Sequence, residues 1–224
     1  MRRRMMRRVW PALLGLGIAS LAMGAVRSAH GPDPSQTAAP AFGTKPAEPT
    51  CTVCHDNNTG NNLNTPGGAV EILDLPDYYL PGQLYTLRVR LHSDSTLADP
   101  GRLWGFQLTA VRALDGQGAG SFELPAPDTL QVVLGDYLPW QSRSYVEHTS
   151  LGTRDGLGGP VEWTFSWRAP DPHQGTIFFY CAGNAADGAG GDKGDFVFTA
   201  ADTVRADPTP VAGASWGSLK ARYR

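Results

Sequence analysis

An all-β fold, built as an antiparallel sandwich, is what this sequence predicts, and three observations carry the prediction. Val161, Trp163, Phe165 and Trp167 alternate with Glu162, Thr164, Ser166 and Arg168, and Leu87, Val89 and Leu91 alternate with Arg88, Arg90 and His92. Successive side chains of a strand point to opposite faces, so a period of two marks a strand with one buried face. Pro-Gly or Gly-rich turns separate a series of short runs rich in aromatic and β-branched residues, the spacing of sandwich strands. No convincing amphipathic helix lies between them.

The chain opens with M-R-R-R-M-M-R-R, five arginines and no acid, followed by an apolar run from Val9 to Val26. That is the charged start and apolar middle of a secretory signal, with cleavage expected near Ser28. Residues 1–28 are therefore read as a signal peptide. A retained anchor is the competing reading, since about 18 apolar residues can just span a bilayer. Residues 29–50 are rich in Pro, Ala and small polar residues and are read as a linker that cannot bury enough surface to offset its ordering entropy. The β domain is expected over 51–201, with strands near 69–74, 87–91, 104–113, 120–124, 130–134, 144–149, 161–168, 176–182 and 195–200. Residues 202–224 form a tail, in which Ser215 is placed to cap a short basic helix carrying Trp216 and Leu219.

Charge and composition exclude some functions. The chain has 19 basic and 21 acidic residues, and six arginines with no acid fall within the first 28. Removal of the signal leaves 13 basic against 21 acidic residues, or −8. Nucleic acid and anionic lipid are poor partners for such a surface. After cleavage nothing else is apolar enough to span a membrane, and the product is expected in the periplasm, on the cell surface or secreted. No nucleophile elbow, Walker loop or H-E-x-x-H motif is present, so no enzyme is expected.

Cys51-Thr-Val-Cys54-His55 carries the chemistry. Two thiols three residues apart with a histidine next is the pattern of c-type haem attachment, in which the thiols add to the haem vinyl groups and the histidine reaches the iron. All four methionines, Met1, Met5, Met6 and Met23, lie inside the signal. Axial ligation is then bis-histidine or open on one side, with a lower potential than His/Met ligation. Besides His55 the mature histidines are His30, His92, His148 and His173; His92 shares a strand face with Arg88 and Arg90, and His173 sits in a Pro-rich turn. His148, at a strand end, is the candidate distal ligand. Other readings compete: a Cys51–Cys54 disulfide loop, a bridge from either to Cys181, or a Cys3His metal site from Cys51, Cys54, His55 and Cys181, which an exporting pathway disfavours. In the loop 183–195, Asn184, Asp187, Asp192 and Asp195 are candidate calcium ligands, although Asp and Asn also serve turn geometry in Gly-rich loops.

The order C-T-V-C-H, Y-Y-L-P-G-Q-L-Y-T-L-R-V-R-L, G-R-L-W-G-F-Q-L-T-A, Y-V-E-H-T-S-L-G-T, W-T-F-S-W-R-A-P and F-F-Y-C-A-G-N-A-A-D-G-A-G-G-D-K-G-D-F-V-F-T resembles the bacterial choice-of-anchor V domain, a distant relative of the reelin-type (Reeler) domain, over about Cys51 to Thr199. The resemblance implies an immunoglobulin-like or Reeler-like β-sandwich on a surface or secreted protein, with a CxxCH near its start and no catalytic residues. His148 falls on its H-T-S block. Cys181 departs from a position where a small residue is usual, which implies a disulfide to the motif. Two functions follow as expectations. One is an exported monohaem c-type protein of the cell envelope, acting in electron transfer or haem-dependent sensing with an envelope redox partner. The other is a surface adhesion or interaction module for a surface ligand, with its cysteines in structural disulfides.

Overall fold

A computed structural model describes residues 31–57, 60–94, 102–135 and 138–208. Ten strands follow in chain order: β1 Gly68–Leu73, β2 Tyr78–Tyr79, β3 Leu84–Ser93, β4 Leu103–Arg112, β5 Ser121–Glu123, β6 Leu130–Leu134, β7 Ser144–His148, β8 Val161–Arg168, β9 Ile177–Ala186 and β10 Phe196–Ala206. They form a four-stranded sheet in the order β1-β3-β8-β5 and a six-stranded sheet in the order β2-β10-β9-β4-β7-β6. All pairs are antiparallel except β10 with β2. The expected all-β sandwich is therefore the fold.

The period-two strands do what their pattern requires. Val161, Trp163, Phe165 and Trp167 of β8, with Leu87, Val89 and Leu91 of β3, fill the space between the sheets. Trp104, Phe106, Leu108 and Ala110 of β4 and Ile177, Phe179 and Cys181 of β9 meet them from the other side. Phe106 lies 4.7 Å from Trp163, centroid to centroid, and Trp167 meets Phe179 edge-on at 5.1 Å. A buried indole needs an acceptor for its N–H. Trp163 donates to the Gly152 carbonyl at 2.8 Å, and Trp167 to that of Ala119 at 3.0 Å.

β9 and β10 outrun their expected ends. β9 continues to Ala186 and β10 to Ala206, beyond the expected domain end at 201, because their ladder runs unbroken from Ala185–Phe196 to Ile177–Val204. The short β2 is an addition that pairs with the end of β10. The signal segment 1–28, His30, and the tail from 209 onward, with Ser215, Trp216 and Leu219, lie outside the described residues.

Residues 31–50, expected to be a tether, are instead a layer of the domain. They fold into a hairpin on the outer face of the six-stranded sheet. Ala38 N–H donates to the Pro49 carbonyl, Glu48 N–H to that of Ala39, and Phe42 and Lys45 exchange both backbone bonds around Gly43-Thr44. Ser35, Thr37 and Ala39 are buried in alternation. Phe42 packs on Phe178 and Tyr180 of β9 at 6.5 and 6.3 Å. Entropy loses here because polar bonds are gained along with apolar contact. Glu48 and Arg143 form an ion pair at 2.5 Å with both side chains fully buried. Tyr145 donates to the same carboxylate oxygen at 2.7 Å, and the Thr37 hydroxyl to the other at 2.6 Å.

Removing one partner of a buried, hydrogen-bonded ion pair strands the other charge away from water, at about 3–5 kcal/mol. Glu48→Ala is accordingly expected to lower unfolding free energy by about that amount in a denaturant titration. A change near zero would mean that residues 31–50 hang free in solution.

Candidate functional site

The hairpin delivers the chain to the C-T-V-C-H motif. Thr37 and Thr50 close the hairpin as a bridge, and Thr50 caps a 3-10 turn at Cys51–Val53 through its hydroxyl, which accepts from Thr52 N–H at 3.1 Å. Cys54 and His55 N–H groups both donate to the Cys51 carbonyl. The turn packs on β9. Cys51 is half-buried and Cys54 exposed, with Val53 in solvent between them.

Outward-facing residues of β4, β7 and β9 form the floor. Gly105, Gln107 and Thr109 of β4 alternate with its core residues, and Gly105 stands opposite Asn184 of β9. Gln107 accepts from Gln36 N–H at 2.7 Å and donates to Glu147 at 2.7 Å, while Gln131 donates to the other Glu147 oxygen at 2.8 Å. Burial pushes the Glu147 carboxyl up to about 7 against the pull of these two amides, with Asp33 adding to the rise. Burial also pushes the Cys51 thiol up to about 12, with Cys54 and Glu147 contributing charge.

His148 ends β7 and replaces a rung of the ladder. Its Nδ1 lies 3.0 Å from Phe106 N, which donates to it, and 3.1 Å from the Phe106 carbonyl oxygen. The ring covers Gly105, where a Cβ would overlap it. Burial lowers the basicity of His148 against the pull of its bond to the Phe106 backbone, and the charge of His55 lowers it further.

His55 is held from the far side of the motif. Its Nδ1 lies 2.5 Å from Asp195 Oδ2, within hydrogen-bond distance, and Asp195 is 1% exposed. The other oxygen of Asp195 accepts from Asp187 N–H at 3.1 Å. Asp195 N–H donates to the Asp56 carbonyl and Asp56 N–H to that of Asp192. Asn62 Nδ2 donates to the carbonyls of His55 and Asp195, and Lys193 pairs with Asp56.

The structure places Cys51, Cys54 and His55 in one turn and His148 at the end of β7 against the Phe106 backbone. Cys181 lies in the core with Phe179, and burial pushes its thiol well up, with Cys51 adding to the rise. All three cysteines are free thiols, so the bridge from Cys181 implied by the resemblance is not formed. Among the described residues no group of three or more His, Cys, Asp or Glu side chains is placed to hold a metal ion, neither Cys51, Cys54, His55 and Cys181 nor the acids of 183–195. Those acids serve the loop, as when Asp187 accepts from Ala189 N–H at 2.8 Å. His92 lies half-buried on β3, and His173 is exposed in its turn. Sequence reasoning missed Glu147 and Gly105, which carry no motif and take their place from the pairing of β7 and β9 with β4.

No family model matches the chain, and no curated protein matches it. Among solved structures it is similar to the human F-spondin reeler domain at 16% identity, covering 62% of this chain and 89% of that one, with a TM-score of 0.37. A cohesin module of a Clostridium perfringens family 33 glycoside hydrolase is similar at 11% identity over 64% and 98% of the two chains, with a TM-score of 0.41. Among the described residues no helix is long and apolar enough to cross a membrane.

An acid whose folded value rises from 4.5 to about 7 holds its proton more tightly folded than unfolded. Its contribution is present in full below 4.5 and is lost as pH rises through about 7. Stability is expected to fall by about 3 kcal/mol across that window, and Glu147→Gln to flatten the fall. Denaturant midpoints measured from pH 4.5 to 8 check this, and parallel profiles for the two proteins would refute it.

Proposed function

We propose that this chain is an exported c-type haem protein of the cell envelope. Cys51 and Cys54 would hold the haem through thioethers, and His55 and His148 would serve as ligands to its iron. Its task is electron transfer with an envelope partner, or sensing through the iron. The observation that carries the reading is the donor set the chain offers: two free thiols in a capped turn, a histidine whose Nδ1 is engaged by Asp195 so that Nε2 is left to bind, and a second histidine at the end of β7.

Each thioether forms by addition of a cysteine S–H across a vinyl double bond, so no atom is lost and the product is neutral. A neutral sulfur suits the place of Cys51, because burial there opposes the thiolate. A zinc site would need that thiolate, since metal ligands bind deprotonated. When bound, haem would supply a one-electron iron couple. The polypeptide contributes orientation. Asp195 fixes one imidazole, the Phe106 backbone holds the other, and Gly105 leaves room for it. Asn184, opposite Gly105, has a buried Oδ1 with no hydrogen-bond partner among the described residues, an acceptor still open beside this floor.

A reduced pyridine haemochrome spectrum tests the proposal, on protein from a host that matures haem c. A c-type band is expected, and its loss in a Cys51→Ala/Cys54→Ala variant. Colourless protein from a host that matures other cytochromes would end the haem reading, and an interaction module with no redox centre would take its place.

A further inference from the structure

The hydrogen bond between His55 and Asp195 does more than hold a side chain. A free neutral imidazole exchanges its proton between Nδ1 and Nε2, and only an unprotonated nitrogen can ligate. Asp195 approaches Nδ1 at 2.5 Å and is itself immobilised. Its second oxygen accepts from the Asp187 backbone, its own N–H is tied to Asp56, and its carbonyl is tied to Asn62. Asn62 also binds the His55 carbonyl, so backbone and carboxylate are fixed to each other. Asp195 is 1% exposed while the His55 side chain is 34% exposed. The carboxylate therefore sits behind the ring, and the ring faces outward.

We infer that Asp195 is a positioning residue that assigns the His55 proton to Nδ1, aims Nε2 outward and strengthens that nitrogen as a donor. Carboxylate–histidine pairs act in this way behind metal sites, where the outer partner fixes the tautomer and raises ligand basicity. The inference rests on the haem reading for its consequence, a lowered potential, but its tautomer half concerns the polypeptide alone. A stronger axial donor stabilises the oxidised iron, so Asp195 lowers the midpoint potential.

Two measurements separate the two readings. Long-range proton–nitrogen NMR of the full chain, made without haem c maturation, is expected to show neutral His55 protonated on Nδ1. A proton on Nε2 in the native chain overturns the assignment. With haem attached, Asp195→Asn is expected to shift the midpoint potential upward, and Asp195→Glu, which keeps the anionic acceptor, to stay nearer the native value. An unchanged potential in Asp195→Asn with haem in place also overturns it. Should Asp195→Asn not fold, the native-chain spectrum and the Asp195→Glu potential decide. A chain that takes up no haem defeats the functional reading alone, and the tautomer is still decided by the spectrum.

Discussion

The buried ion pair of Glu48 and Arg143 is the constraint on which the site depends. Neither charge tolerates burial alone, and each satisfies the other only when residues 31–50 lie on the sheet. Tyr145 and Thr37 complete the carboxylate's bonding, while the Gly116 carbonyl accepts from Arg143 Nε at 2.8 Å. The guanidinium also covers the Phe42 ring at 5.6 Å, so the polar lock and the apolar contact of the hairpin close together. Three residues after Glu48 comes Cys51. The pair thereby fixes where the motif begins, and the Thr50 cap fixes how the chain turns there.

One consequence is a six-stranded sheet with two buried faces of unlike chemistry. Its inner face is aromatic and aliphatic. Its outer face carries Gln107, Thr109, Tyr145 and Glu147, all buried, because the hairpin and not water covers them. Buried polar groups require partners. Gln107 meets the arm and Glu147 together, Thr109 donates to the Ser144 carbonyl, and Tyr145 reaches both Ser35 and Glu48. The raised Glu147 and Cys51 values arise from the same cover.

Strands with a clear apolar alternation were legible in the sequence: β8 begins and ends where the pattern says. The ends of β9 and β10 were not, because A-G-N-A-A and T-A-A-D-T carry too little apolar contrast to mark a face. The arm was illegible for a related reason. Its sheet-facing residues, Ser35, Thr37 and Ala39, alternate properly but are small, and Pro40, Pro46 and Pro49 resemble linker composition. The F-G-T-K turn was the one local signal of a hairpin. What held the segment down, Arg143 and Tyr145, lies about a hundred residues away, and no local pattern announces it.

The site divides along the same line. Cys51, Cys54 and His55 are contiguous, and their spacing alone states their chemistry. His148 was reachable by counting histidines, but its attachment to the Phe106 backbone depends on β7 stopping one rung short against β4. Asp195 was read among acids for calcium, since sequence shows a carboxylate but not what it faces. The parallel bridge of Asp56 with Lys193 and the paired backbone bonds of Asp56 bring 183–195 onto the motif, and only then does Asp195 meet His55. A histidine gripped at Nδ1 from one side by an immobilised carboxylate has a direction that a free C-x-x-C-H segment lacks. The fold's contribution to the proposed chemistry is that direction, and it originates in the polar lock that brings the arm down.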